Sequence, residues 1–149
     1  MADGLDVIIV DDDEKVCEVV SQVIRRFYTW GDVLTFTDSD KAISHCFASD
    51  KTIAIFVVDV FLGEKRGFFF LDAVQQKFPA AHCDTVMITG NASDDVVDMC
   101  VASEVNHLLE KPIEPYALQL AVRAVLQKYL KFAKKILQDP VFAETVARF

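Results

Sequence analysis

The sequence predicts a doubly wound five-stranded parallel α/β sheet that forms one domain with an extended C-terminal helical tail. Five short β-branched runs alternate with segments whose apolar residues recur at helical spacing. The strand-like runs are almost entirely apolar, as expected for strands covered by helices on both faces. The chain has 149 residues, of which 52% are hydrophobic and 26% charged, so it fits one globular domain and is not a disordered chain.

The first half of the chain supplies three strands and two helices. One side of the first helix is predicted to face the core, and Asp38 or Ser39 is suited to cap the second helix. The third strand is the most apolar run in the chain and stops at Asp59. The strands are predicted over 5–10, 33–36 and 52–58, and the helices over 14–28 and 39–48. The core-facing residues of the first helix are Val16, Val19, Val20, Val23, Ile24 and Phe27.

The second half continues the alternation after a glycine-containing loop. Ser93 is suited to cap a helix, and Pro115 suits the first turn of a last long helix. Phe68, Phe69 and Phe70 are about 100° apart around one helix, so at least one is predicted near the surface. The remaining strands are predicted over 85–89 and 106–109, and the helices over 67–78, over 93–102 and from residue 115 onward.

Charge and composition narrow the functional classes. The net charge is −8, with 21 acids and 9 bases in residues 1–115 but 2 acids and 6 bases in residues 116–149. An acidic body argues against a nucleic-acid backbone as the main partner. No apolar run approaches the ~20 residues of a membrane span, and the acidic start lacks the pattern of a signal peptide. The widely spaced cysteines favour reduced thiols and the isolated histidines argue against a zinc site, so a cytoplasmic protein is expected.

Polar side chains follow the predicted strands at the edge where open parallel sheets bind ligands. Taken singly, most have a structural explanation, since an acid after a strand often caps the next helix and a Lys-Pro pair often forms a turn. The third-strand carboxylate is harder to explain, because it abuts an apolar run and partial desolvation is costly. The residues are Asp11, Asp12 and Asp13 after the first strand, Asp59 after the third, Thr89 after the fourth and Lys111 after the fifth.

Electrostatics predict a cation at this edge. Two carboxylates ~5 Å apart repel by roughly 3 kcal/mol at an effective dielectric near 20, so three of them need a compensating charge. A hard divalent ion, Mg²⁺ above all, prefers such oxygen ligands and also suits a phosphoryl group. Lys111 and Thr89 could hold other phosphoryl oxygens. The residues alone therefore predict a Mg²⁺-dependent carboxylate site that accepts phosphate.

The chain also resembles a known family, the receiver domains of two-component response regulators, over about residues 5–127. The resemblance rests on the motifs IIVDDDE, FVVDVFLGEKRG, VMITGNAS and LLEKPI. Gly67 follows Asp59 by 8 residues, Thr89 follows Asp59 by 30, and Lys111 follows Thr89 by 22. The resemblance implies the flavodoxin-like receiver fold and a phosphorylation-driven signalling switch rather than a metabolic enzyme.

The resemblance also implies a role for each matching residue. Asp59 would be the nucleophile that takes the phosphoryl group from a phosphohistidine, supplied by a sensor histidine kinase or a phosphotransfer protein. Lys111 would pair with Asp59 and later with the phosphoryl group. Thr89 and the backbone amide of Gly90 would donate hydrogen bonds to it. The Mg²⁺ ligands would be Asp11, Asp12, Asp59 and the backbone carbonyl of Phe61, whereas Asp13 would cap the first helix.

Some positions depart from the family pattern. Leu62-Gly63 stands where a residue followed by proline is common, so this backbone is expected to be more mobile. Leu108 stands at the usual aromatic switch position and has no hydroxyl to exchange partners. Phe61 and Asn91 occupy positions that influence loss of the phosphoryl group, and the bulky Phe61 is expected to prolong the phosphorylated state.

The tail is predicted as a separate helical extension, residues 128–149, after a receiver domain over residues 1–127. Its apolar stripe continues past the point where the receiver core closes. Three interpretations stay open: a helix for self-association as a homodimer, a flap folded back on the domain, or the entry to an output domain that this chain lacks. The stripe comprises Leu118, Val122, Val125, Tyr129, Phe132 and Ile136.

Two enzyme or cofactor classes compete with the switch. A dehalogenase-like Mg²⁺-dependent phosphohydrolase also uses a strand-end aspartate, but needs a second aspartate two residues later, where this chain has Phe61. A flavodoxin-like cofactor binder needs a hydroxyl-rich phosphate loop after the first strand. The carboxylates of Asp11, Asp12 and Asp13 would repel a phosphate there. Both alternatives are therefore less favoured than the switch.

Overall fold

The computed structural model describes residues 4–148. It contains one parallel sheet, one short hairpin and six helices within those residues. In chain order the elements are β1 (Val7–Val10), α1 (Glu14–Arg25), β2 (Val33–Phe36), α2 (Ser39–Ala48), β3 (Ile55–Asp59), β4 (Phe61–Leu62), β5 (Lys65–Arg66), α3 (Gly67–Val74), β6 (Thr85–Thr89), α4 (Asp94–Ala102), β7 (His107–Glu110), α5 (Pro115–Gln138) and α6 (Pro140–Ala147).

The sheet has the strand order β2-β1-β3-β6-β7, and all its pairs are parallel. After β1 the chain goes first to one side of that strand and then, with β3, to the other. This reversal opens a crevice at the carboxyl ends of β1 and β3, the usual ligand position in such sheets. The doubly wound fold predicted from the sequence is confirmed.

Alternating strand residues divide the core between the two faces of the sheet. Ile8, Phe56 and Met87 pack with α2, α3 and α4 on one face. Ile9 and Val57 pack with α1 and α5 on the other. The three central strands β1, β3 and β6 are therefore buried on both sides, which is why their sequences read as continuous apolar runs, whereas the edge strands β2 and β7 are only partly buried.

Most helix starts agree with the sequence, whereas several ends do not. The Asp13, Asp38 and Ser93 side chains each accept a backbone N–H at a helix start, as predicted. The prediction that Val19 faces the core is wrong, because half of its surface (50%) is exposed. Phe69 is 61% exposed, which confirms that one of the three consecutive phenylalanines lies at the surface. The first and third helices end at Arg25 and Val74, earlier than predicted, and the third strand begins later, at Ile55.

The last long helix is continuous through the expected domain boundary at residue 127, and α6 then packs on its end. The Phe132 and Phe142 rings meet edge to face with their centroids 5.9 Å apart. At the start of the extension, Lys128 Nζ lies 2.6 Å from an oxygen of the buried Asp84 carboxylate, and the Tyr129 hydroxyl donates to the other oxygen. We call these three residues the α5 clamp. Among residues 4–148, no helix combines the length and apolarity needed to cross a membrane.

Candidate functional site

Four strands deliver the predicted site residues to one edge of the sheet. Asp11 directly follows β1, Asp59 ends β3, Thr89 ends β6 and Lys111 directly follows β7. The strands are parallel and in register, with Asp59 opposite Ile88, so their carboxyl ends lie together. Residues as far apart in the sequence as Asp11 and Lys111 thus lie in one crevice.

Lys111 joins the two buried carboxylates of the crevice. Its Nζ lies 2.8 Å from Asp11 Oδ2 and 2.7 Å from Asp59 Oδ2. Asp11 is fully buried and Asp59 is 5% exposed, so each carboxylate has lost most of its hydration. Burial by itself lowers the pKa of Lys111, but the hydrogen bonds and charges of the two carboxylates outweigh burial and raise it. The lysine is therefore firmly protonated.

The contact with Lys111 does not fully compensate the Asp11 carboxylate for its loss of hydration. Burial raises the pKa of Asp11, and the negative charge of Asp59 adds to the increase, while Lys111 and the Asp13 backbone N–H oppose it. The Asp13 N–H donates to Oδ1 at 2.8 Å. Oδ2 has no partner other than the Lys111 ammonium among the described residues. This buried oxygen can accept a further cation.

The donor set fits a hard divalent cation. Asp11, Asp12 and Asp59 each offer a carboxylate oxygen within 4.8 Å of the others. Three carboxylates face one ammonium group, which leaves two negative charges unbalanced at full ionisation. Asp12 is exposed and gives such an ion a route from solvent. Oxygen ligands of this kind favour Mg²⁺ or Ca²⁺ over softer metals.

The backbone beyond Asp59 is held close to its carboxylate. The Phe61 N–H donates to Asp59 Oδ1 at 3.1 Å, so both carboxylate oxygens have partners. The Gly67 N–H donates to the Val60 carbonyl at 2.8 Å. A Cβ on Gly67 would lie 2.2 Å from the Asp59 carbonyl oxygen, a separation that no side chain tolerates. Only glycine permits this close return of the chain.

Thr89 and Gly90, at the end of β6, lie beside Lys111. Thr89 is fully buried, and its Oγ1 accepts the Asn91 N–H at 3.1 Å. The Thr89 carbonyl accepts the Lys111 N–H at 2.8 Å, which ties the ends of β6 and β7 together. A Cβ on Gly90 would meet Lys111 Cδ at an ordinary 3.9 Å, so this backbone lies beside the lysine stem. Leu108, at the position of the missing aromatic, packs against the core.

One contact at the site entrance is not predicted from the sequence. The Arg66 guanidinium lies over the Phe61 ring, 5.7 Å from its centroid, and Arg66 Nη1 lies 3.4 Å from Met99 Sδ. Phe61 is 38% exposed, so its ring stands at the surface, while its backbone N–H contacts the Asp59 carboxylate. Arg66 thereby links β4 and β5 to α4. No local pattern signals the Arg66–Met99 contact, because the two residues are 33 positions apart in sequence.

Comparisons with known proteins agree on one family. A family model for the response regulator receiver domain matches residues 7–123. The heme response regulator HssR of Staphylococcus saprophyticus is 27% identical over 122 residues, which are 82% of this chain and 51% of the relative. The transcriptional regulatory protein CitT of Halalkalibacterium halodurans is 22% identical over 129 residues, 87% of this chain and 55% of the relative. The chain spans about half the length of the curated relatives it matches.

Solved structures agree on the fold. The chemotaxis protein CheY4 of Vibrio cholerae superposes with a TM-score of 0.70 at 22% identity, over 82% of this chain and 98% of that chain. A response regulator receiver domain protein from Clostridium thermocellum gives 0.73 at 16% identity, over 86% and 98%. With a family match over most of its length and the crevice described above, the chain belongs to the response regulator receiver family, whose domains act as signalling switches of two-component systems.

Proposed function

We propose that Asp59 is the phosphoacceptor of this receiver and that Asp11, Asp12, Asp59 and the Phe61 carbonyl hold Mg²⁺ during the transfer. The observation that carries the proposal is the shared contact of Lys111 with two buried carboxylates, one of which ends the central strand β3. A buried carboxylate beside a fixed ammonium and a cation site is suited to attack phosphorus and to hold the charge that results.

The proposed reaction is a direct displacement. An Asp59 carboxylate oxygen attacks the phosphorus of a phosphohistidine, a P–O bond forms, and the P–N bond breaks with its electron pair leaving on the imidazole nitrogen. Bound Mg²⁺ supplies positive charge to the phosphoryl oxygens. Lys111 moves its ion pair from the carboxylate to a phosphoryl oxygen. The Thr89 hydroxyl and the Gly90 amide donate hydrogen bonds to the remaining oxygens.

The hairpin geometry supports Phe61 as a backbone ligand. In an antiparallel pair, the N–H and C=O of one residue point to the same side, alternating between the partner strand and the outside. The Val60 carbonyl accepts the Gly67 N–H, while the Val60 N–H donates to the Ile88 carbonyl. Phe61, opposite Arg66, then belongs to the next pair, whose backbone groups face outward. Its N–H already reaches Asp59 Oδ1. Its carbonyl is therefore expected on the carboxylate side.

Phosphodonor labelling tests the proposal. The parent, incubated with acetyl phosphate and Mg²⁺, is expected to gain one acid-stable, alkali-labile phosphoryl group, measured by intact mass. Asp59→Asn is expected to gain none. Asp13→Asn is the matched control, because Asp13 caps α1 next to the site without belonging to the carboxylate cluster. Equal labelling of Asp59→Asn and the parent would overturn the assignment.

Phe61 favours a signalling switch over a hydrolytic enzyme. A phosphohydrolase of the dehalogenase type needs a proton donor two residues after its nucleophile, and a phenylalanine side chain cannot supply one. The family match favours the receiver as well. The chain is therefore expected to show no multiple-turnover hydrolysis of p-nitrophenyl phosphate beyond the rate set by slow loss of its own phosphoryl group.

The partners are proposed by the same argument. The phosphoryl donor is a sensor histidine kinase or a phosphotransfer protein in the cytoplasm. Residues 1–127 form the receiver, and residues 128–149 form an extension that serves in homodimerisation or leads to an output domain. The support for an output domain is that curated relatives are about twice the length matched here. The support for homodimerisation lies in the surfaces described next.

A further inference from the structure

An acidic and apolar surface covers the outer side of α4. Val97 and Val101 are 47% and 73% exposed, and they are four residues apart on one side of the helix. Asp94 and Asp98 lie on the same side and are exposed. None of these carboxylates forms an ion pair with a described residue. We call these four residues the α4 face.

A basic and apolar surface of similar length lies on the extension. Leu130 and Leu137 are 42% and 84% exposed and seven residues apart, so they share one side of α5. Lys134 lies about 40° around the helix from Leu130, and Lys131 borders this side about 100° from Leu130. Both lysines are exposed and, in the part of the chain described, have no ion-pair partner. We call these four residues the extension face. Both faces span about 10 Å of helix.

The chain's own elements leave the extension face open. α6 covers the opposite side, where Phe142 meets the Phe132 ring and lies under Lys135 Nζ at 4.9 Å. The extension face also cannot turn back to α4 of the same molecule, because α5 is one unbroken helix from Pro115 to Gln138 and the α5 clamp fixes it to Asp84. Its occupant must come from another molecule.

We infer that the extension face of one copy docks on the α4 face of a second copy, an inference that rests on the homodimer part of the proposed function. The opposite charges favour this pairing over a leucine-to-leucine contact between extensions, which would bring Lys131 and Lys134 of both copies together. Lys134 lies between the two leucines as Asp98 lies between the two valines. Because each copy carries both faces, a reciprocal exchange forms a closed pair.

Sedimentation velocity over a concentration series into the high micromolar range tests the inference on the full chain. EDTA is present and no phosphodonor is added, so the outcome does not depend on phosphorylation of Asp59. The parent is expected to form dimers, and Leu137→Glu to weaken the dissociation constant at least about tenfold, because an apolar contact becomes a charge facing an acidic surface. Leu137 is too exposed for this change to disturb folding.

Charge reversal distinguishes this pairing from others. Lys134→Glu and Asp98→Lys are each expected to weaken the dimer about fivefold, and the double variant to recover most of the loss. Lys41→Glu and Asp50→Lys are matched controls at exposed positions elsewhere and should leave the dimer unchanged. A monomeric parent would overturn the inference. So would an Asp98→Lys chain that dimerises like the parent, or a double variant no tighter than the single ones.

Discussion

At the residue scale, one lysine places a positive charge between the two buried carboxylates of the crevice. Lys111 contacts Asp11 and Asp59, and Asp12 adds a third carboxylate without a further base. The sequence predicted all of these residues because strand ends in a parallel sheet must meet at one edge. It did not predict the contact of Arg66 with Met99, since that contact depends on where the β4–β5 hairpin lies relative to α4.

Magnesium is expected to stabilise the folded chain through these carboxylates. At a concentration of about 100 times its dissociation constant, the ion adds about 2.7 kcal/mol to the free energy of unfolding. Asp12→Asn should lose most of this gain, measured by thermal unfolding with and without Mg²⁺ at constant ionic strength. Asp13→Asn keeps a side-chain oxygen that can accept the Lys15 N–H at the start of α1, and it should keep the full magnesium response. An unchanged response in Asp12→Asn would contradict the site.

Phe61 is expected to slow hydrolysis of the acyl phosphate by keeping water from the Asp59 edge. Phe61→Asn should shorten the lifetime of the phosphorylated chain, followed as loss of label after removal of the donor. Arg66→Gln, which removes the cation over the ring but keeps the ring, should give a smaller acceleration. If Phe61→Asn decays at the parental rate, the ring does not protect the phosphoryl group.

Gly67 is expected to be intolerant of any side chain. Gly67→Ala places a methyl group against the Asp59 carbonyl and the Val58 side chain, so the backbone must move. A loss of more than about 2 kcal/mol in the free energy of unfolding by urea is expected. Gly90→Ala is the matched control, because its methyl group would meet only Lys111 Cδ at contact distance. Equal losses in the two variants would show that the close return is not the cause.

The buried thiols are expected to resist modification. Burial raises the pKa of Cys17 to about 11, with a contribution from Asp11, and burial raises the pKa of Cys46 to about 11. The thiols ionise near pH 9.0 in the unfolded chain and near pH 11 in the folded chain. This difference stabilises the folded chain fully below pH 9.0, and the stabilisation is lost as the pH rises through 11. A thiol reagent at pH 8 should therefore react first with the half-buried Cys83, and Cys83→Ser should lack the fast phase.

At the element scale, periodicity predicted the long elements and missed the short ones. The core runs of β1, β3 and β6 are apolar on both faces, so their positions follow from composition alone. The hairpin of β4 and β5 has two residues in each strand, too few for any alternation, and it was expected to be a loop. Leu5 and Ala54 are buried just before β1 and β3 in the sequence but do not belong to these strands. Their burial explains why the predicted strands are too long.

The α5 clamp is an element-scale contact that sequence reasoning could not find, because Asp84 lies 45 residues before Tyr129. Tyr129→Phe should cost about 1–3 kcal/mol of unfolding free energy by urea denaturation, since a hydrogen bond to a buried carboxylate is lost. Tyr116→Phe is the matched control, because Tyr116 is 79% exposed and its loss should be close to zero. A stable Tyr129→Phe chain would mean that Lys128 alone satisfies Asp84.

At the scale of the whole molecule, alternation of elements determined the architecture, while the path of the tail depended on tertiary contacts. An apolar stripe at heptad spacing fits a self-association helix, a flap folded back on the domain and the entry to an output domain. Only the packing of α6 on one side of α5 shows which surface stays exposed. The segregation of charge, acidic in the body and basic in the tail, was visible in the sequence. The proposed pairing of the α4 face with the extension face could not be predicted from the sequence, because it depends on which of these side chains are exposed.

The continuity of α5 has a mechanical consequence. A helix of 24 residues is a rod about 36 Å long. It starts four residues after Lys111 and is pinned to Asp84 beyond its midpoint. Leu118, Val122 and Val125 bury its first half against the sheet, and the α5 clamp holds it again at Lys128 and Tyr129. The stretch from Leu130 to Gln138 continues past these contacts as a stiff arm about 13 Å long, so a molecule bound to the arm is kept at a set distance and orientation from the crevice.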